Sequence, residues 1–248
     1  MSEDEEYSPP EGFIECKCPY CGEKTSFFPA DAGKTQDCPF CNETFVAPTQ
    51  SCEFGQKLPI PIETIRLILR RPKPEDRSEL IEITSDEEFF KYQRSPQWDE
   101  TNVDQWFEIA NRARLTPPGR GLILAIELKQ IQRLIGWATI LYLEERPGLS
   151  SRRQASLGLA IGCKFQRQGY GTEAVQALLK FGFQGINVRR MTAKCDARNA
   201  AMRGLLEKAG MKLEGLFFQD TFDEKDEWCD TAYYAILAGE LATEPTVS

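Results

Sequence analysis

Two spacings of apolar residues alternate along the chain from residue 63 onward. Where apolar and polar residues alternate, as at Ile65, Leu67 and Leu69, the pattern predicts a strand, and recurrence at helical spacing predicts a helix. The predicted strands cover residues 65–69, 122–128, 134–143, 156–163, 188–195, 212–222 and 228–237. A polar turn at residues 129–133 joins the second and third strands into a hairpin.

Between these strands, apolar residues at helical spacing predict four helices. The first covers residues 75–83, the second is capped by Asn102, the third follows Gly171, and the fourth ends at Gly210. The apolar faces of the last three comprise Val103, Trp106, Phe107 and Ala110; Ala174, Val175, Leu178, Leu179 and Phe183; and Met202, Leu205, Leu206 and Ala209. This order of elements predicts an α+β domain with a mixed sheet over residues 63–242.

The segments outside this domain differ from it in composition. Residues 1–12 form an acidic tail that we expect to be disordered, residues 13–47 contain five cysteines, and residues 48–62 have the prolines of a linker. Residues 243–248 form a C-terminal tail. The first 57 residues carry 11 acidic and 4 basic side chains, so most of the net charge of −8 lies in the front part.

The composition excludes several kinds of site. The chain has 248 residues and no histidine, which removes Ser-His-Asp and Cys-His nucleophiles and every metal site that uses imidazole. An acidic balance disfavours nucleic-acid binding. The N-terminus lacks the basic start and apolar run of a secretory signal, and no apolar run reaches the about 18 residues of a membrane helix. We therefore expect a cytoplasmic protein with no membrane association.

Four cysteines have the spacing of a structural zinc site. The two Cys-x-x-Cys pairs, Cys18 with Cys21 and Cys38 with Cys41, together offer the tetrahedral thiolate ligation that Zn²⁺ prefers, with no position left open for water. The alternative is a pair of disulfides or loose thiols, and Cys16 stays outside the expected ligand set. This segment resembles a zinc ribbon, a family that often binds nucleic acid or protein. Its negative charge favours contact with a protein, or docking on the neighbouring domain, over nucleic acid.

A glycine turn at residues 166–171 separates a predicted strand from a predicted helix. At such a turn, consecutive main-chain N–H groups at a helix N-terminus favour a diphosphate, and Gly169 and Gly171 let phosphates approach the main chain. Taken alone, the turn is equally consistent with a plain connection between strand and helix.

The surrounding sequence resembles the GNAT family of acetyl-CoA-dependent N-acetyltransferases, most closely its RimJ/RimL-like branch. The likeness covers residues 63–240 and rests on LGLAIGCKFQRQGYGTEAVQALLKF, MTAKCDARNAAMRGLLEKAGMKLEG and DTAYYAILAGE, which contain the Q-x-x-G-x-G signature and the Glu-Lys-x-Gly ending in the family's order. The resemblance implies a mixed, mostly antiparallel sheet flanked by helices.

The resemblance also implies a coenzyme site. The amides that would cradle the diphosphate of acetyl-CoA belong to Gln168, Gly169, Tyr170, Gly171 and Thr172, with Gln166 and Arg167 beside them. Leu159 and Ile161 match the splayed strand that binds the pantetheine arm and polarises the thioester carbonyl. Asn199 matches a pantetheine-contacting asparagine, although it also suits a helix cap, and Arg203 is expected to reach the phosphates.

The residues that transfer protons in related enzymes are missing. The three positions that hold a base or an acid in relatives are Ala155, Met202 and Leu206 here, so the catalytic residues stay unknown. A water held by a carboxylate such as Glu127 is one route for the amine proton, although a solvated strand residue is the simpler interpretation of Glu127. Acidic residues around 220–230 suit a cationic acceptor or a solvated turn.

Two functions follow from these patterns. The first is an acetyl-CoA-dependent N-acetyltransferase that acts by direct transfer on a primary amine, either a protein N-terminus or a small cationic molecule. The alternative is a non-catalytic acyl-CoA-binding adaptor whose zinc ribbon contacts a protein.

Overall fold

The computed structural model describes residues 13–39, 41, 43–50, 56–58, 60–93, 97–113, 121–143, 154–223 and 227–241. The expected tails at residues 1–12 and 243–248 lie outside these ranges, as do Asn42 and residues 224–226. The chain divides into two compact units, Met1–Leu58 and Pro59–Ser248.

The first unit consists of short strands. These are β1 (Ile14–Lys17), β2 (Lys24–Phe27), β3 (Thr35–Asp37), β4 (Thr44–Val46) and β5 (Gln56–Lys57). The strands β1 and β2 form an antiparallel pair, and β3, β4 and β5 form a second small sheet. Because β5 pairs with β4, two residues of the expected linker at 48–62 belong to the sheet of this unit.

Cysteines and aromatic rings make up the core of the first unit. Phe27 and Phe45 pack edge to face at 5.6 Å and are buried together with Cys16, Cys18 and Cys38. So small an apolar cluster stabilises a unit of this size only weakly, because little surface leaves water on folding.

The second unit combines one large sheet with five α-helices among its described residues. Its strands are β6 (Ile62–Glu63), β7 (Leu67–Arg70), β8 (Gly121–Leu128), β9 (Arg133–Tyr142), β10 (Gln154–Ile161), β11 (Arg190–Asp196), β12 (Lys212–Phe222) and β13 (Trp228–Leu237). Its helices are α1 (Arg77–Thr84), α2 (Glu87–Phe90), α3 (Glu100–Arg112), α4 (Tyr170–Lys180) and α5 (Ala200–Lys208).

The eight strands lie in the order β12-β13-β11-β10-β9-β8-β7-β6. Among the described strands, every neighbouring pair is antiparallel except β10 and β11, which are parallel. The expected mixed, mostly antiparallel sheet flanked by helices is confirmed.

Both faces of the sheet are covered. On one face, Ala125, Trp137 and Ala160 pack with the helices α1 to α3 through residues such as Leu80 and Trp106. Residues that alternate with these, among them Leu124 and Ile126, are fully buried and point to the opposite face. The helix α4 contacts β10 and β7.

Two local predictions are wrong in detail. The helix α3 is capped by Asp99, whose carboxylate accepts a hydrogen bond from the main-chain N–H of Asn102 at 2.9 Å. The side-chain oxygen of Asn102 in turn accepts from the main-chain N–H of Asp99. Asn102 is therefore the third helical residue of a capping box, a position that sequence alone confuses with the cap. Ile65 is 94% exposed and precedes β7, because the chain turns at Thr64 before the strand begins.

In the described part of the chain, no helix has the length and apolar character needed to cross a membrane.

An ionic cluster joins the start of α1 to the sheet. The Arg70 guanidinium donates two hydrogen bonds to Asp76, at 2.7 and 2.8 Å, and one to Glu127 at 2.6 Å. The Asp76 and Glu127 side chains are only 6% and 13% exposed, so removing one carboxylate leaves buried Arg70 donors without their acceptor, although Arg70 keeps the other carboxylate as a partner.

We predict that Asp76→Ala lowers the free energy of unfolding by about 2–4 kcal/mol, because two charge-assisted hydrogen bonds are lost while Arg70 keeps Glu127 as a partner. The control is Glu108→Ala, which breaks an exposed pair with Arg112 and is expected to cost no more than about 0.5 kcal/mol. Urea denaturation measures both. Equal losses for the two variants would contradict a structural role for the cluster.

Candidate active site

The glycine turn leaves the start of α4 without a side-chain cap. Arg167 and Gly169 both adopt left-handed backbone, with φ of 59° and 82°, and Gly169 is the residue immediately before the helix. No side chain in the described residues accepts a hydrogen bond from the first amides of this helix. The N–H groups of Tyr170, Gly171 and Thr172 also have no carbonyl partner within the helix, because the first turn of any helix lacks one. The turn therefore presents donors and the positive end of a helix dipole to an anion.

The strand before the turn has an open edge. β10 pairs with β11 only at residues 154–156, whereas its pairing with β9 continues to Ile161. From Leu157 onward the two parallel strands separate, and this is the splayed strand that was expected to carry Leu159 and Ile161. The Gln166 side chain donates to the Ile161 carbonyl at 2.9 Å, so Gln166 ties the turn to the end of β10.

Close packing at Gly171 brings three elements together. A Cβ at this position would lie 2.5 Å from the Leu205 side chain on α5 and 3.3 Å from the Leu159 side chain on β10. The open edge of β10, the start of α4 and the helix α5 consequently meet at one place.

Asn199 immediately precedes α5, Arg203 lies on it, and both already have protein partners. The Asn199 side chain caps the helix by accepting from the Met202 amide at 2.9 Å. Arg203 donates to the Tyr234 hydroxyl at 3.2 Å and to the Ala197 carbonyl at 3.3 Å. The capping interpretation of Asn199 therefore holds in this structure, and the roles of both residues toward a coenzyme stay predictions.

The expected positions for proton transfer hold no titratable group. Ala155 and Leu206 are buried, and Met202 is half-buried. Glu127 was considered either as the holder of a water or as a solvated strand residue, and neither interpretation fits, because it is largely buried and pairs with Arg70.

The acidic hairpin is partly neutralised. Asp223 forms an ion pair with Arg198 at 3.3 Å, and the Asp230 carboxylate accepts a hydrogen bond from the main-chain N–H of Gln219 at 2.9 Å. Asp220 and Glu227 are exposed.

The sequence analysis missed Arg66, which lies against the glycine turn. Its guanidinium donates to the Gln168 carbonyl at 2.9 Å and to Glu173, in the first turn of α4, at 2.7 Å. The only signal in the sequence was an arginine within the first predicted strand, and nothing there connects it to a turn 102 residues later.

Four cysteines of the first unit come together. The Sγ atoms of Cys18, Cys21, Cys38 and Cys41 all lie within 4.8 Å of one another. Cys18 and Cys41 are 3.7 Å apart, and Cys21 and Cys38 are 3.6 Å apart. A tetrahedral zinc with bonds of about 2.3 Å holds its sulfurs about 3.8 Å apart, whereas a disulfide needs about 2.05 Å. The cluster therefore has the dimensions of a tetrahedral thiolate site, and Cys16 lies outside it.

Two glycines allow a matched test of the turn. We predict that Gly169→Ala lowers the free energy of unfolding by about 1–2 kcal/mol, because alanine disfavours left-handed backbone. Gly204→Ala, in an open position on α5, is expected to stabilise the protein by up to about 1 kcal/mol. Both changes are measured by urea denaturation. A neutral Gly169→Ala would show that the turn does not need its left-handed residue.

Comparison with known families agrees with this geometry. The family described as "Acetyltransferase (GNAT) domain" matches residues 66–212. The chain is 38% identical over 84 residues to an uncharacterized N-acetyltransferase, YnaD of Bacillus subtilis, a match that covers 34% of this chain and 49% of that protein. It is 28% identical to the uncharacterized N-acetyltransferase p20 of Bacillus licheniformis, over 72% of this chain and 97% of that protein.

Solved structures share the fold. An acetyltransferase of the GNAT family from Bacillus anthracis superimposes with a TM-score of 0.60 at 27% identity, over 72% of this chain and 99% of the other. RimJ of Mycobacterium smegmatis, solved with CoA-disulfide, superimposes with a TM-score of 0.60 at 23% identity, over 72% and 85% of the two chains. With a splayed β10, a glycine turn and a family match that spans most of the second unit, this chain belongs to the GNAT acetyltransferase family.

Proposed function

We propose that the second unit transfers an acetyl group from acetyl-CoA to a primary amine, directly and within a ternary complex. The observation that carries this proposal is the uncapped start of α4 next to the open edge of β10. A diphosphate at residues 168–172 satisfies main-chain donors that the protein itself leaves unpaired, and the pantetheine arm then runs along β10 toward its separation from β11.

The chain contributes to such a transfer mainly by position and polarity. A main-chain N–H on the open edge of β10 polarises the thioester carbonyl, and its hydrogen bond strengthens as the amine nitrogen attacks and negative charge develops on that oxygen. The carbon–sulfur bond then breaks, and coenzyme A leaves as a thiolate. Thiols have a reference pKa of about 8.5, so this leaving group does not require a protein acid. The amine loses its proton to water, because Ala155, Met202 and Leu206 cannot accept one.

The acceptor we propose is a cationic amine, either a small molecule or a protein N-terminus. Asp220 and Glu227 on the last hairpin are exposed and carry negative charge, which raises the local concentration of a cation. The alternative of a non-catalytic adaptor is not favoured, because the family and its curated relatives are acetyltransferases.

For the first unit we propose a structural zinc ion bound by Cys18, Cys21, Cys38 and Cys41. The cluster dimensions fit Zn²⁺, and four sulfur ligands leave no position for a reacting water. Burial raises the pKa of the Cys41 thiol to about 12 in the absence of a metal, so a cation is needed to hold four thiolates together near neutral pH. The metal would supply the stability that the small apolar core lacks. A protein partner for this unit is the interaction that its acidic character favours.

The enzymatic proposal predicts that the purified protein releases free thiol from acetyl-CoA when an amine is added. The panel contains spermidine, a lysine-free peptide with a free N-terminus, and the same peptide with its N-terminus blocked. Thiol release with either of the first two and none with the blocked peptide is expected. Gly204→Ala serves as an active control, because a Cβ at this position would meet no other atom within 4 Å. Tight binding of acetyl-CoA without thiol release on any amine would contradict transfer.

The metal proposal predicts one zinc ion per chain. Cys38→Ser is expected to lose the zinc and the fold of the first unit, whereas Cys16→Ala keeps the zinc, because Cys16 lies in the same core but outside the cluster. Metal analysis and circular dichroism measure the two effects. Acidification is expected to release the metal, since protons compete for the thiolates. A folded, metal-free wild-type unit would refute the ligand set.

A further inference from the structure

Arg66 is attached to the helix that follows the glycine turn. Its Nε donates to Glu173 Oε2 at 2.7 Å, and its main-chain amide donates to Glu173 Oε1 at 2.8 Å. The Thr64 hydroxyl also donates to Oε1, at 2.5 Å. Glu173 is thus bound on both oxygens by residues 64–66, which lie between β6 and β7.

The rest of the Arg66 guanidinium covers the turn itself. Nη1 donates to the Gln168 carbonyl at 2.9 Å, and the guanidinium carbon lies 4.5 Å from the centre of the Tyr170 ring. Nη2 lies 3.2 Å from the place that a Cβ on Gly169 would occupy. Among the described residues, Nη2 has no hydrogen-bond acceptor, and the Arg66 side chain is 42% exposed.

The negative charge of Glu173 lies close to the expected diphosphate site, and Arg66 compensates this charge. The Glu173 carboxylate is 17% exposed and lies one turn from the amides that would receive a diphosphate, where an unpaired negative charge repels phosphate. Burial by itself would raise the pKa of Glu173, but the hydrogen bonds from Thr64 and from the Arg66 amide and guanidinium outweigh it and hold this pKa below its usual range. Glu173 therefore stays charged at neutral pH and keeps Arg66 in place.

We propose that Arg66 is a coenzyme-binding residue. Anchored by Glu173 and by the Gln168 carbonyl, it holds Nη2 beside Gly169 as a charged donor to the diphosphate of coenzyme A, in addition to the main-chain amides. This inference rests on the proposed function of the second unit and adds a charged side chain to the main-chain donors of the turn. It also gives Gly169 a second requirement besides its left-handed backbone, because a side chain there would crowd Nη2.

The test measures the dissociation constant of CoA by isothermal titration calorimetry at about 50 and about 300 mM NaCl. Charge screening differs strongly between these two salt concentrations. Arg66→Gln is expected to weaken CoA binding about tenfold or more at the lower salt, as loss of a charge-assisted hydrogen bond does, and to reduce the salt dependence of binding. Arg77→Gln is the control. Arg77 is 38% exposed and pairs with Asp104 and Glu100 on α3, and neither partner belongs to the turn, so its loss is expected to change CoA binding less than about twofold.

Arg66→Lys separates charge from geometry. Lysine keeps a positive charge but cannot bond Glu173 and Gln168 while reaching Gly169, so CoA affinity is expected to fall between those of wild type and Arg66→Gln. If circular dichroism shows that Arg66→Gln does not fold, the CoA affinity of Arg66→Lys tests the proposal instead.

Four results would overturn the proposal. Wild-type CoA affinity in Arg66→Gln would show that Arg66 does not contact the coenzyme. Weaker CoA binding with an unchanged salt dependence would show that Arg66 has a purely structural role. Arg66→Lys with full affinity at both salt concentrations shows that the anchored geometry is not needed. A wild-type protein that does not bind CoA refutes the proposed function as well, which distinguishes that failure from a failure of Arg66 alone.

Discussion

Main-chain hydrogen-bonding groups left without partners are the constraint on which this site depends. In a folded protein such groups normally pair with one another, yet here β10 leaves β11 after residue 156 and α4 begins with no side-chain cap among the described residues. The open edge of β10 runs from Leu157 to the strand's end at Ile161, five residues before Gln166, and α4 begins within the glycine turn at Tyr170. Groups of this kind pair either with water or with a ligand that carries matching acceptors.

Contacts made by three residues of the second unit hold the open edge of β10 and the start of α4 in place. Gln166 fixes the end of β10, Gly171 lets α4 and α5 approach, and Arg66 binds the turn through Gln168. These contacts position the turn against β10 and α5, and none of the three residues transfers a proton in the proposed reaction. The site is thus built to orient and polarise, which agrees with a reaction whose leaving group departs as a thiolate without help from a strong protein acid.

The two units use different physical means to fold. In the second, apolar side chains cover both faces of an eight-stranded sheet, and the charged cluster at Arg70 joins β7, β8 and the start of α1. The first has a small core in which cysteines take up much of the buried space. An ion bound by the four clustered thiols, as proposed above, would add the stability that this small core lacks.

The sequence by itself determined the elements and the local turn chemistry, because periodicity, glycine position and cysteine spacing act over a few residues. It identified the strand, turn and helix around Gly169 and the four clustered cysteines. Only the tertiary structure decided what depends on distant residues meeting. Arg66 reaches a turn 102 residues away, and Glu127 is committed to Arg70, 57 residues away, instead of facing water. The divergence of β10 from β11 also belongs to the sheet as a whole, since a strand's own residues do not specify where its neighbour leaves it.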